Sequence, residues 1–117
     1  MKAYTDIEQS RKLAEILPME SADMFYTLID QGLYLEVKQG IEPSKDDIPC
    51  WSLTALLDVL PKNLDIGRPV LATNYRGYYW VSYFDEYMKE KFTSKIYNNP
   101  IDTCYKMVLK LHKQKLL

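Results

Sequence analysis

The residues with reactive chemistry are few and far apart. Cysteine occurs at Cys50 and Cys104, and the single histidine is His112. A structural zinc site needs about four Cys or His ligands at short spacing, and no close pair exists here. Asp46-Asp47 has no EF-hand pattern around it, so it reads as a solvated loop. On one helix Cys104 and His112 would lie ~12 Å apart along the axis, too far for a thiolate–imidazole pair. Cys50 sits two residues before a helix start, where a thiol pKa can fall. Its neighbours Pro49 and Trp51 argue instead for a buried structural thiol. Serine-hydrolase elbows, phosphate-binding glycine loops and dinucleotide fingerprints are absent from the sequence, which has four glycines in all. No catalytic residue, metal or cofactor is assigned, and an enzyme is the minority reading.

Binding chemistry is better represented. Tyrosine supplies ten of 117 residues, and its ring covers apolar surface while its hydroxyl stays wet. Tyr75, Arg76, Tyr78, Tyr79 and Tyr83 cluster around one predicted hairpin and form the candidate binding surface, centred on the sheet face of Tyr79 and Tyr83. Aromatic side chains rimmed by charge are what protein-interaction hot spots use. They are also what single-stranded nucleic-acid binders stack bases on, with Lys and Arg tracking the phosphates. Arg76, Lys89, Lys91 and Lys95 are close enough in sequence for that role. Against it stand a net charge of −1 and the acidic pair Asp85-Glu86, because phosphate contacts dominate such affinity. RNP-type motifs are missing as well. A non-enzymatic protein-interaction module is therefore the leading expectation, and nucleic-acid binding the alternative. The partner would be another protein or a second copy of the chain.

The elements that position these residues can be read along the chain. The T-x-x-E string at Thr5 and Glu8 predicts a capping box on a first helix with an apolar stripe of Ile7, Leu13, Ala14 and Leu17. Pro18 ends it. Residues 21–32 read either as a helix capped by Ser21 and closed by Gly32, or as part of a hairpin. The hairpin would pair Met24–Ile29 with Leu33–Val37 around Asp30-Gln31-Gly32, and strand propensity leans that way. Gly40 to Asp47 reads as a polar loop. Ser52 is an N-cap for a short helix with Trp51 and Leu56 at hydrophobic-staple spacing. Its apolar surface runs almost all round, which predicts a central place in the core. Val70–Tyr75 and Tyr78–Phe84 flank Arg76-Gly77 and predict a hairpin, with Phe92–Tyr97 as a third strand. Asn99-Pro100 starts the last helix, which ends near Gln114 and carries a basic stripe of Lys106, Lys110 and Lys113.

These elements predict a single α+β domain over residues 1–117: an antiparallel meander of three to five strands flanked by three helices. Charge is uneven along it. Residues 1–88 hold 8 basic and 14 acidic side chains, whereas residues 89–117 hold 7 basic and 2 acidic. The basic end could face an acidic partner or the chain's own acidic front. Nothing in the first thirty residues has the pattern of a signal peptide, and no apolar run approaches the ~20 residues that span a bilayer. The expected setting is the cytoplasm, with both thiols reduced and no membrane partner.

The strings AYTDIEQSRKLAEILPMESADM, IPCWSLTALLDVLP and CYKMVLKLHKQKLL resemble a small protein family of prophages and other mobile elements of anaerobic gut bacteria. No function is assigned to that family. The three strings cover residues 3–24, 48–61 and 104–117. The resemblance implies an accessory protein in the cytoplasm and carries no catalytic or binding residue onto this chain.

Overall fold

A computed structural model describes residues 2–38, 42–62 and 67–117. Its elements run α1 (Ile7–Ala14), a 3-10 turn (Met19–Ser21), β1 (Met24–Ile29), β2 (Gly32–Val37), β3 (Ile48–Cys50), α2 (Leu53–Val59), β4 (Arg68–Thr73), β5 (Tyr79–Phe84), β6 (Glu90–Thr93) and α3 (Pro100–Lys113). The fold is α+β, with three helices and antiparallel strands. The strands form two sheets of three, ordered β2-β1-β3 and β4-β5-β6. The second is the expected meander, with its third strand at Glu90–Thr93 rather than Phe92–Tyr97. The first holds the hairpin and adds β3, a strand too short and too interrupted by Pro49 to show in the sequence pattern. Gly40 and Ile41, the start of the expected polar loop, lie outside the described residues.

Residues 21–32 resolve in favour of the hairpin. Ile29 pairs with Gly32 across a two-residue turn in which Asp30 and Gln31 both have positive φ, 48° and 66°. That is the mirror-image turn whose twist matches antiparallel strands. Asp accepts the left-handed conformation more readily than most residues, so Gly32 is left to close the ladder rather than to make the turn.

The cap of α1 differs from expectation by one residue. Asp6 is the N-cap, and its capping box closes with Gln9 rather than between Thr5 and Glu8. Thr5 is already committed elsewhere. Its N–H donates to the Trp51 carbonyl at 2.9 Å, and its hydroxyl accepts from the Trp51 N–H at 3.1 Å and pairs with the Ser10 hydroxyl at 2.8 Å. The Tyr26 hydroxyl and the Cys50 thiol both donate to the Thr5 carbonyl. Buried polar groups need such partners, and this knot fastens α1 to β1 and β3.

Trp51 and Leu56 are both fully buried around the Ser52 cap, whose hydroxyl accepts from the Ala55 N–H. Both side chains belong to one core cluster, as staple spacing leads one to expect. The centre of the core, however, is α3 rather than α2. Ile101, Cys104, Met107, Val108 and Leu111 of α3 are sealed from solvent, while Leu53 and Leu57 of α2 are only half-buried. α3 lies between α2 and β5, and so uses a wider face. Gly67 enters β4 at φ 99°, and a Cβ there would stand 2.0 Å from the Phe84 carbonyl oxygen. Only glycine lets β4 and β5 come together at that end.

Candidate functional site

Strand alternation sends Tyr79, Val81 and Tyr83 to one face of β5 and Trp80, Ser82 and Phe84 to the other. The odd-numbered face meets α3. Val81 and Tyr83 are consequently buried completely. The Tyr83 hydroxyl donates to the Pro61 carbonyl at 2.9 Å, and burial raises its pKa above the ordinary tyrosine value. Tyr79 is half-buried. Its backbone exchanges hydrogen bonds of 2.7 and 2.9 Å with Tyr97, and its carbonyl is 3.5 Å from the Thr103 hydroxyl of α3. The expected centre of the binding surface is thus the seam between sheet and helix. Both faces of β5 carry aromatic residues, and the apolar side of α3 decided which face was covered.

Tyr75, Arg76 and Tyr78 stand apart from that seam, on the exposed tip of the β4–β5 hairpin. Asn74 builds the tip. Its side-chain oxygen accepts from the Arg76 and Tyr78 N–H groups at 3.0 and 3.2 Å. Gly77 follows at φ 81°, and its N–H donates to the Asn74 carbonyl at 3.1 Å. This is a type I turn followed by a left-handed residue, a common three-residue hairpin loop. Tyr75 is 91% exposed. The Arg76 guanidinium lies 5.5 Å from the Tyr75 ring centroid, and its Nε–H donates to the Tyr75 hydroxyl at 3.2 Å. Cation–π contact of this kind orients the two side chains toward each other.

The β5–β6 loop carries a second tip that the sequence did not single out. Tyr87 and Met88 are both highly exposed there. The signal was available in the spacing, since Asp85 stands four residues before Lys89 as Asn74 stands four before Tyr78. A six-residue strand separates the tips by about 20 Å, so they are distinct surfaces. Lys91 lies 3.6 Å from Asp85, which ties up one of the cations expected to track phosphates. Lys89 and Lys95 are exposed.

The thiols offer no ready nucleophile. Cys50 and Cys104 are both free and buried. Burial pushes the Cys50 thiol up from its ordinary value, and pushes Cys104 up to about 12. His112 is exposed in the last turn of α3. Among the described residues no group of three His, Cys, Asp or Glu side chains converges as a metal site, and no helix is long and apolar enough to cross a membrane. Comparison with known proteins supplies no relative from which a role could be carried over: no protein-family model, no curated protein and no solved structure matches the chain.

Proposed function

We propose that this chain is a non-enzymatic protein-interaction module acting in the cytoplasm, an accessory protein of the mobile-element kind its sequence resembles. The observation that carries this reading is the β4–β5 tip. A tyrosine and an arginine, two side chains favoured at hot spots, are held against each other on a turn fixed by Asn74, and both are exposed. Ordering such side chains before binding lowers the entropy lost on association. The nucleic-acid alternative keeps Tyr75 and Tyr78 exposed for stacking but has less sheet face to use, because Tyr83 is buried and Tyr79 is half-buried.

The test is affinity capture from a bacterial lysate, with and without nuclease, using the tagged chain and a variant carrying Tyr75→Ser, Arg76→Ser and Tyr78→Ser. A specific protein retained after nuclease by the parent, and lost from a variant of equal melting temperature, supports the reading. Retention that disappears with nuclease replaces it with nucleic-acid binding.

A further inference from the structure

Among the described residues the two sheets have four edge strands, and three carry devices that discourage another strand from adding. β3 is three residues long with Pro49 at its middle. β4 opens with Arg68-Pro69. β6 has four residues, begins Glu90-Lys91 and lies beside a register shift at Tyr83/Phe84. Prolines, charges, bulges and shortness are the usual protections of an exposed edge. β2 is six residues long, Gly-Leu-Tyr-Leu-Glu-Val, with no proline, no bulge and Glu36 as its single charge, and it is an edge strand of its sheet.

The outward groups of β2 follow from its register. Ile29 and Gly32 close a two-residue turn as a hydrogen-bonded pair, and such pairs recur at every second residue. The Lys38 N–H continues the series by donating to the Asp23 carbonyl at 3.1 Å. Gly32, Tyr34 and Glu36 therefore point their backbone groups at β1. Leu33, Leu35 and Val37 point theirs away from it, along the open edge. The side chains of these same three residues share one sheet face with Leu28, across the ladder from Leu33. Leu28, Leu33 and Val37 are 68%, 40% and 51% exposed.

We infer that β2 is the interface of a twofold homodimer, in which the β2 strands of two copies pair antiparallel with Leu35 on the symmetry axis. This surface is separate from the β4–β5 tip, and the inference stands or falls without it. A twofold contact must be self-complementary, and this register is. Leu35 faces Leu35 of the second copy, Leu33 faces Val37, and Tyr34 faces Glu36. Lys38 comes opposite Gly32, and no like charges stand directly opposite each other. The outward groups form about six new main-chain hydrogen bonds. The aliphatic rows of both copies join into one patch, and the two sheets become one of six strands.

The test is sedimentation equilibrium from ~10 to ~500 μM, a range that covers micromolar association. The parent chain is expected to approach twice its 13.8 kDa mass. Tyr34→Glu sets a carboxylate opposite Glu36 on each side of the axis and should give monomers. Tyr34→Glu with Glu36→Lys restores opposite charges and should recover the dimer. Leu35→Lys, which brings two ammonium groups together on the axis, is a second disrupting variant, and circular dichroism verifies the fold of each. A parent that stays monomeric at every concentration overturns the inference, as does a dimer that Tyr34→Glu and Leu35→Lys both leave intact. A monomeric parent whose β2 amides become protected only on adding another protein would assign the edge to strand addition by that protein instead.

Discussion

Asn74 and Asp85 hold equivalent places at the two ends of β5. Each accepts two backbone N–H groups on one side-chain oxygen, from Arg76 and Tyr78 in the first case and from Tyr87 and Lys89 in the second. In each loop the residue three positions on has positive φ, Gly77 at 81° and Met88 at 62°. Each of these donates its N–H back, to the Asn74 and Asp85 carbonyls at 3.1 and 3.0 Å. Two unlike sequences make one turn because the side-chain oxygen, amide or carboxylate, imposes it.

That equivalence separates the consequences of changing the left-handed residues. A Cβ at Gly77 would meet nothing within 4 Å, so Gly77→Ala is opposed by backbone strain alone and should lose about 1 kcal/mol. Met88 already bears that strain. Met88→Gly relieves it while gaining freedom in the unfolded chain, and the two effects offset to within about 0.5 kcal/mol. Urea midpoints of the two variants check the asymmetry. Equal losses at both positions would mean that the loops are held by something other than their turn geometry.

Trp51 tests the packing at the start of α2. It is fully buried in the core cluster that also holds Leu56, and its indole N–H donates to the Ser21 hydroxyl at 3.0 Å. Trp51→Ala should destabilise the chain by about 3–5 kcal/mol, a large share of the total stability of a domain this size. Trp51→Phe keeps most of the ring and drops the hydrogen bond, so it should lose less than half as much. A loss below ~0.5 kcal/mol for the alanine variant would contradict the burial.

Much of this architecture was legible because local chemistry decided it. Asn99-Pro100, Ser52 with Trp51, and the glycine of the β4–β5 loop each announce a boundary that the fold keeps. What could not be read depended on competition between distant groups. Thr5 looks like a helix cap until the Trp51 N–H and Ser10 claim its hydroxyl. Tyr79 and Tyr83 look exposed until α3 covers their face of β5. The five candidate residues therefore divided, with Tyr75, Arg76 and Tyr78 on the tip, Tyr79 half-buried beside α3 and Tyr83 in the core. The outward backbone groups of β2 were equally hidden, since hydrogen-bond direction follows from pairing register and not from residue type.

The basic stripe of α3 divides in the same manner. Lys106 is exposed, with its ammonium 5.7 Å from the Tyr105 ring centroid. Lys110 sits 4.4 Å over the Phe92 ring and donates to the Thr93 carbonyl at 2.6 Å. Lys106→Glu should stay within about 0.5 kcal/mol of the parent. Lys110→Glu should lose about 1 kcal/mol, because a carboxylate repels both the ring face and the carbonyl. Combining it with Phe92→Leu in a double-mutant cycle isolates the ring contact. Zero coupling would assign the loss to the Thr93 hydrogen bond alone.

Asp102 joins the N-terminal segment to α3 and makes stability depend on pH. Its carboxylate accepts from Lys2 at 2.9 Å, Gln9 at 2.7 Å and Asn99 at 2.8 Å. Burial works to raise its pKa, but the hydrogen bonds from Asn99, Lys2 and Gln9 and the Lys2 charge outweigh it and hold the carboxyl below its ordinary value. A depressed folded-state pKa stabilises fully above the unfolded value of about 3.9, and that contribution is lost as pH falls through the folded value. Asp102→Asn should therefore lose about 1 kcal/mol near neutral pH, allowing for the partial exposure of the site. As pH falls through the folded value and the parent carboxyl takes up its proton, parent and variant should converge. Urea unfolding along an acid pH series measures the difference. A gap that persists in acid would show that the shape of the carboxyl, and not its charge, ties Lys2 and Gln9 to α3.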